Sequence, residues 1–306
     1  MRHWKDKVMK IKVGTRGSRL ALTQTNHVID MLKTAHPELE AEVVIIKTKG
    51  DKILNMPLDK IGDKGLFVKE IETAMIEKKI DMAVHSMKDM PTDQPKGLVI
   101  VNPPAREDAR DALILKEGLN SLEDIPQGGR IGTGAIRRIS QILKHRPDLK
   151  FEPIRGNVET RMKKIETEGL DGVVLAAAGL KRLDLEHRIT NMLELDVVLP
   201  SPAQGILAIE CRENDEKMLG LLKSIQDEEA TIQARAERTF LEAVNGGCHI
   251  PVGAYCHVDG DNVKLQALLG KNDGSDLNKV QWTGNIADVE KGARELAEKL
   301  KEAVHG

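Results

Sequence analysis

One pattern occurs twice along this chain, and it limits the possible folds more than any other feature. Residues 11–13 read as a short strand. "GTRGSRLALTQTNHVIDMLKTAHP" follows, a Gly-rich turn and an amphipathic helix that stops at His36-Pro37. "LEAEVVIIKTKGD" is then a strand ending in basic residues. From Arg130 the order returns: "RIGTG" is strand and turn, "AIRRISQILKHRP" a helix stopping at Pro147, and "DLKFEPIRGN" a strand ending at Arg155-Gly156. "LFVKEIETAMIEKKIDMAVHSMKD" and "NVETRMKKIETEGLDGVVLAAAGLKR" extend the match, each a helix and then a strand beginning near Asp81 or Asp171. Strand–helix–strand–helix–strand predicts a parallel sheet wrapped by helices. Ligands gather at the carboxyl ends of such strands. Two related halves side by side therefore imply a cleft.

"LDVVLPSPAQGILAIECR" is apolar and broken by Pro, and reads as a return crossing from the second half to the first. A helical stretch, "NDEKMLGLLKSIQDEEATIQARAERTFLEAV", comes next. "VGAYCHVDG", "DNVKLQALLG" and "NKVQWTGNI" then read as antiparallel strands joined by Gly, Asp and Asn turns, and a last helix closes the chain. The expected division is residues 1–104 with 204–226, residues 105–203, and residues 227–306. A length of 306 residues suits two or three domains.

The basic residues fall where the strands end. Arg16 and Arg19 flank Ser18 before the first helix, and Arg137 and Arg138 stand in the first turn of its counterpart. Arg155 and Arg161 follow the next strand, Lys181 and Arg182 the third, and Lys88-Asp89 takes that third place in the first half. A single such Arg is ordinarily a solvated surface residue. At a helix N-terminus, however, an Arg opposes the dipole, and an anionic ligand would repair the conflict. Arg forks hold carboxylates bidentately, so several around one cleft suggest a ligand with several carboxylates or phosphates. Asp89 is an acid beside Lys88 and this cleft. It reads either as part of a structural ion pair or as a carboxylate that stabilises a cation. The Lys- and Gly-rich stretch at 47–65 reads as a lid or as disordered chain.

Other classes fit poorly. The net charge is −2, so no overall basic field recruits nucleic acid or an anionic membrane. With two Trp, one Tyr and three Phe there is little to stack single-stranded bases on. No apolar run reaches the length of a membrane span. The opening "MRHWKDKVMKIKVG" lacks the apolar run of a secretory signal. Three cysteines suggest a reduced, cytoplasmic protein without a disulfide framework. "GTRGSR" and "GTGAIRR" are not full dinucleotide fingerprints, and no Walker motif occurs. In "NGGCHIPVGAYCH" Cys248 follows two glycines in a turn, where its sulfur is reachable. Cys248-His249 with Cys256-His257 has the wrong spacing for a zinc finger, so no metal site is expected. Cys211 and Cys256 read as packed thiols.

"TRGSRLAL", "KGLFVKEIE", "VHSMKDMP", "IRGNVETR", "AAAGLKRL", "LPSPAQGILAIECR" and "NGGCHIPVGAY" occur in order along nearly the whole chain. Together they resemble the porphobilinogen deaminase (hydroxymethylbilane synthase) family. That resemblance implies an α/β fold with two related domains whose mostly parallel sheets flank a cleft, of the type II periplasmic-binding-protein kind. A small α+β C-terminal domain with a three-stranded antiparallel sheet completes it. It implies a dipyrromethane cofactor joined to Cys248 by a thioether and built from the enzyme's own substrate. Four porphobilinogen units are then added to this primer, each losing ammonia, and hydrolysis releases hydroxymethylbilane. It implies that Asp89 is catalytic. It further implies that Arg16, Ser18, Ser86, Lys88, Arg137, Arg138, Arg155, Arg161 and Arg182 bind acetate and propionate groups, with Gln24, Thr133 and Gln204 beside them. Lys64 and Phe67 fall in the family's mobile loop and hinge. The family is typically monomeric. It commonly carries Thr-Ser-Ser or Thr-Ser-Ala before the Arg pair, where this chain has Thr133-Gly134-Ala135, leaving backbone N–H groups for that role. A non-catalytic, two-lobed binding protein is the competing reading, and a reachable cysteine argues against it.

Overall fold

The structure, a computed structural model, describes residues 9–52, 68–245, 250–271 and 273–305. Strand β1 (Met9–Thr15) leads into α1 (Arg19–Ala35), β2 (Leu39–Ile45), α2 (Lys49–Lys52), α3 (Lys69–Ile76), β3 (Met82–Ser86) and β4 (Leu98–Ile100). The second series is β5 (Asp111–Leu115), β6 (Arg130–Gly132), α4 (Ile136–His145), β7 (Lys150–Glu152), α5 (Val158–Thr167), β8 (Gly172–Ala176), α6 (Ala177–Arg182) and β9 (Asn191–Leu193). The chain continues through β10 (Leu207–Arg212), α7 (Glu216–Leu222), α8 (Glu228–Ala243), β11 (Val252–Asp259), β12 (Asn262–Leu269), β13 (Asn278–Asn285) and α9 (Val289–His305). Local chemistry sets the ends. The Ser18 hydroxyl accepts from the Ala21 N–H to start α1, and the Asn157 side chain accepts from the Thr160 N–H to start α5. The residue before a Pro is pushed out of helical conformation, which stops α1 at His36.

The sheets run β2-β1-β3-β10-β4 and β7-β6-β8-β5-β9, so the echo in the sequence is an echo in topology. Each sheet is mixed rather than wholly parallel. β10 pairs antiparallel with β3 and β4, and β5 pairs antiparallel with β8 and β9. These are the strands on which the chain passes from one lobe to the other, and each therefore enters its sheet from the opposite end. The third sheet, β11-β12-β13, is antiparallel throughout. Lys181 and Arg182 lie in the last turn of α6, not directly after a strand as expected, since β8 passes straight into helix.

Helical spacing puts Val28, Ile29 and Leu32 of α1 against Val13, Met82 and Ile209 on one face of the first sheet. Ile71 and Met75 of α3 cover the other face. In the second lobe Ile142 of α4 packs with Leu113, Ile131 and Val174, while Met162 and Leu180 pack with Val173 and Leu175 opposite. The C-terminal core joins Phe240, Val263, Leu265, Leu296 and Leu300. Cys211 and Cys256 are both buried in these cores, as their apolar surroundings predict.

The crossing segments touch. Glu107 N–H donates to Gly205 O at 3.1 Å, and Arg106 Nε donates to Gln204 O at 2.9 Å. Gly205 has φ +90°, and a Cβ there would sit 2.2 Å from Glu107 O, so only glycine permits this approach. Ala254 N–H donates to Pro200 O at 3.0 Å, which fastens the C-terminal sheet to the same place.

Candidate active site

The cleft side chains come from strand ends and helix starts of both lobes. From the first lobe, Gln24 Nε2 donates to Ser86 Oγ at 2.9 Å. A single 3₁₀ turn, Met87–Asp89, then presents Lys88 and an exposed Asp89. From the second lobe, Arg137 and Arg138 turn inward from the start of α4 and converge on Asp111. Arg137 Nη1 reaches Asp111 Oδ2 at 2.7 Å, and Arg138 Nε and Nη2 reach Oδ1 at 3.1 and 2.7 Å. Backbone carbonyls take further donors, Leu199 O from Arg137 Nη1 and Val174 O from Arg138 Nη1. The conflict between these arginines and their helix dipole is thus met by a carboxylate of the protein itself. Reading the sequence missed Asp111. Its one local signal is an acid opening a strand in "REDARDALIL", where neighbouring acids and arginines make it look solvated.

Gln204 joins the lobes. Its Oε1 accepts from Lys88 Nζ at 3.3 Å, while its Nε2 donates to Asp111 Oδ1 at 3.0 Å and to Ala109 O at 2.7 Å. Arg161 Nε donates to Gly156 O at 2.8 Å, and Arg155 stands half-buried after β7. Arg182 Nη2 donates to Gly205 O at 2.7 Å and so leans on the crossing. Lys181 lies in an ion-pair group with Glu107, Asp108 and Glu186 instead of facing the arginines. Arg16 is half-buried in the turn after β1, and the Ser18 hydroxyl there is engaged as the α1 cap. Thr133 Oγ1 accepts from the Ala135 N–H at 3.3 Å. Arg19 pairs with Glu159 across the cleft at 2.8 Å. Cys248, Lys64 and Phe67 lie outside the described residues.

The electrostatics favour an anion. Burial pushes the Lys88 ammonium down to about 8, with Asp89 and Asp111 opposing the shift and Arg138 and Arg137 adding to it. Burial also lowers Arg161, helped by Arg138 and Arg155 and opposed by Asp89. Burial lowers Arg137 and takes Arg182 to about 10. For Asp111, burial alone would raise the carboxyl, but Arg137 and Arg138 hold it well below the usual carboxylate range. Depressed cations beside so few carboxylates mark a place where added negative charge is stabilising. Asp89 acts on Lys88 from one lobe and Arg161 from the other, so the cleft brings these groups together.

Another buried group lies between α3 and the sheet. His85 Nε2 is 3.4 Å from Glu210 Oε2, and Glu72 is raised to about 7 by burial and by Glu210.

Two family models match the chain. "Porphobilinogen deaminase, dipyromethane cofactor binding domain" covers residues 11–220, and "Porphobilinogen deaminase, C-terminal domain" covers 231–302. The porphobilinogen deaminase of Clostridium novyi (strain NT) is 56% identical over 95% of this chain and 98% of its own. The chain belongs to the porphobilinogen deaminase family. That of Clostridioides difficile (strain 630) is 52% identical over 97% of each chain. The activity is porphobilinogen deaminase, EC 2.5.1.61, in tetrapyrrole biosynthesis, and the first two lobes form a dipyrromethane cofactor-binding domain. The methionine-binding protein MetQ is 13% identical, with a TM-score of 0.43 over 74% of this chain and 94% of its own, too loose a likeness to bear on function. Among the described residues no helix is long and apolar enough to cross a membrane.

Proposed function

We propose that Asp89 is the catalytic carboxylate of this deaminase and that the cationic cleft holds the acetate and propionate groups of substrate and growing chain. One observation carries the reading: Arg137 and Arg138 of one lobe and, through Gln204, Lys88 of the other are gathered around the single carboxylate of Asp111, a surplus of positive charge. Carboxylates brought in by a ligand relieve that. Arg16, Lys88, Arg137, Arg138, Arg155, Arg161 and Arg182 take the carboxylates. Ser18, Gln24, Ser86 and Gln204 hold their neighbours in place, and Thr133 contributes through its turn. The same set fits a dipyrromethane, whose two rings carry an acetate and a propionate each.

When bound, the dipyrromethane would supply the primer whose terminal pyrrole carbon is extended. The thioether is assigned to Cys248, on its place after two glycines at the entrance to the C-terminal domain. Lys64 and Phe67 are assigned to a lid. The substrate's exocyclic C–N bond breaks, ammonia leaves, and a cation spreads over the pyrrole ring. Asp89 then accepts hydrogen bonds from pyrrole N–H groups and stabilises that cation. Lys88 and the arginines fix the ring by its carboxylates, so that the attacking carbon meets the cation at short range. A C–C bond forms between that ring carbon and the substrate's methylene carbon, and the proton on the attacking ring carbon is lost to a base. Four such additions and a final hydrolysis give hydroxymethylbilane. We place this enzyme in the cytoplasm on its few cysteines, and as a monomer on its resemblance to a typically monomeric family.

Intact-mass measurement under denaturing conditions, paired with turnover of porphobilinogen, tests the reading. Added mass corresponding to two pyrrole units, absent in Cys248→Ser, supports the thioether. An unmodified mass in active protein refutes it. Asp89→Ala is expected to fold and lose at least about 100-fold in turnover, and full activity would remove Asp89 from its role.

A further inference from the structure

We infer that Asp111 is a positioning residue: it aims Arg137 and Arg138 at the ligand's carboxylates and, through Gln204, ties them to Lys88 of the other lobe. The inference rests on the reading that those arginines bind carboxylates. Asp111 is fully buried. It opens β5, and its backbone lies between Ala176 of β8 and Leu193 of β9, so the carboxylate stands on a fixed part of the sheet.

Its two oxygens are used differently. Oδ2 takes Arg137 Nη1, while Oδ1 takes Nε and Nη2 of Arg138 as well as Gln204 Nε2. Binding Arg138 along one edge fixes the plane of its guanidinium, and planar forks recognise carboxylates only when so oriented. Gln204 spans the gap, with Lys88 Nζ on its Oε1. One carboxylate thus organises two arginines and a lysine. This group carries a positive surplus, which is what a site for anions needs.

Lys88 gives a readout that a merely structural role would not move. Asp111 is among the groups that favour its ammonium, so loss of the Asp111 charge lowers the pH at which Lys88 deprotonates. Arg138→Met, Asp111→Asn and Arg137→Met/Arg138→Met with and without Asp111→Asn are measured for KM, kcat, thermal melting and the pH profile of kcat/KM with porphobilinogen. The expected result for Asp111→Asn is a KM raised at least about tenfold, kcat within about threefold, and an alkaline limb at lower pH. In the double-Met background Asp111→Asn adds no further change in KM. If Arg138→Met raises KM while Asp111→Asn leaves both KM and the limb as in wild type, the positioning role is overturned and the carboxylate site stands. If Arg138→Met leaves KM unchanged, the carboxylate site itself fails, and the positioning role with it. Should Asp111→Asn not fold, Gln204→Met decides: a KM left where wild type has it removes the tie between Asp111 and Lys88 and overturns the proposal.

Discussion

Arg106 and Glu237 meet in a two-point ion pair inside the protein, Nη1 to Oε1 at 2.7 Å and Nη2 to Oε2 at 3.0 Å. Glu237 also accepts from the N–H groups of Ala203 and Cys256, at 2.6 and 2.8 Å. One carboxylate of α8 therefore holds the outgoing crossing, the returning crossing and the C-terminal sheet. Removing one partner strands the other charge away from water, at a cost of about 3–5 kcal/mol. Arg106→Met is expected to lower the melting temperature strongly, as followed by circular dichroism. Arg106→Met/Glu237→Met should recover part of the loss. An unchanged melt in Arg106→Met would show the pair to be dispensable.

The carboxylate contact proposed for Lys88 predicts an alkaline limit on substrate binding. Its ammonium is depressed to about 8, so positive charge is lost as pH rises through that value. Activity at subsaturating porphobilinogen should therefore fall above about pH 8. Lys88→Arg stays charged and should carry kcat/KM, whatever its absolute value, on to higher pH. The pH profiles of the two proteins give the comparison, and a wild-type profile flat past pH 9 would contradict it.

Glu72 predicts a slope of stability with pH. Its carboxyl is raised from 4.5 to about 7 by burial and by Glu210, so the folded protein binds more protons than the unfolded chain between those values. Stability from this group is complete below about pH 4.5 and is lost as pH rises through about 7. Glu72→Gln removes the loss. Above pH 8 the variant should gain roughly 1–3 kcal/mol over wild type, with little difference near pH 5. Urea titrations at the two pH values measure this.

Gly205 leaves no room for a methyl group. With φ at +90° and Glu107 O 2.2 Å from where a Cβ would stand, Gly205→Ala must part the crossing segments. A loss of at least about 2 kcal/mol is expected, and thermal melting of the purified variant checks it. Gly134 is the opposite case, since a Cβ there would meet nothing nearer than Ile154 O at 4.0 Å. Gly134→Ser should change stability by no more than about 0.5 kcal/mol, and a large drop in melting temperature would show a demand for glycine that the contacts do not.

The two lobes were legible because their signals are local. Gly turns, Pro37 and Pro147 after helices, and apolar runs at strand positions can each be read from a few neighbouring residues. The same holds for Cys211 at the end of an apolar run and for Cys256 within a strand. The partner of Arg137 and Arg138 was not legible. Asp111 lies 26 and 27 residues before them and meets them only when β5 enters the sheet beside β8. Lys181 looked like a cleft residue by analogy with its neighbours. Its side chain instead joins Glu107 and Asp108 at the crossing, a choice made by tertiary packing. The Ser18 hydroxyl, read as a ligand contact, also answers a demand of the backbone at the start of α1.

The crossing strands also bear on the order in which the chain can assemble during synthesis. The second sheet draws all its strands from residues 111–193, whereas the first waits for β10, whose last residue is 212. Until then β3 has an open edge and β4 has no neighbour in the sheet. The lobe made first is therefore finished after the lobe made second, which reverses the usual N-terminal-first order. When residue 200 has just left the ribosome, the emerged chain would carry one completed lobe and one unfinished edge awaiting its own later sequence.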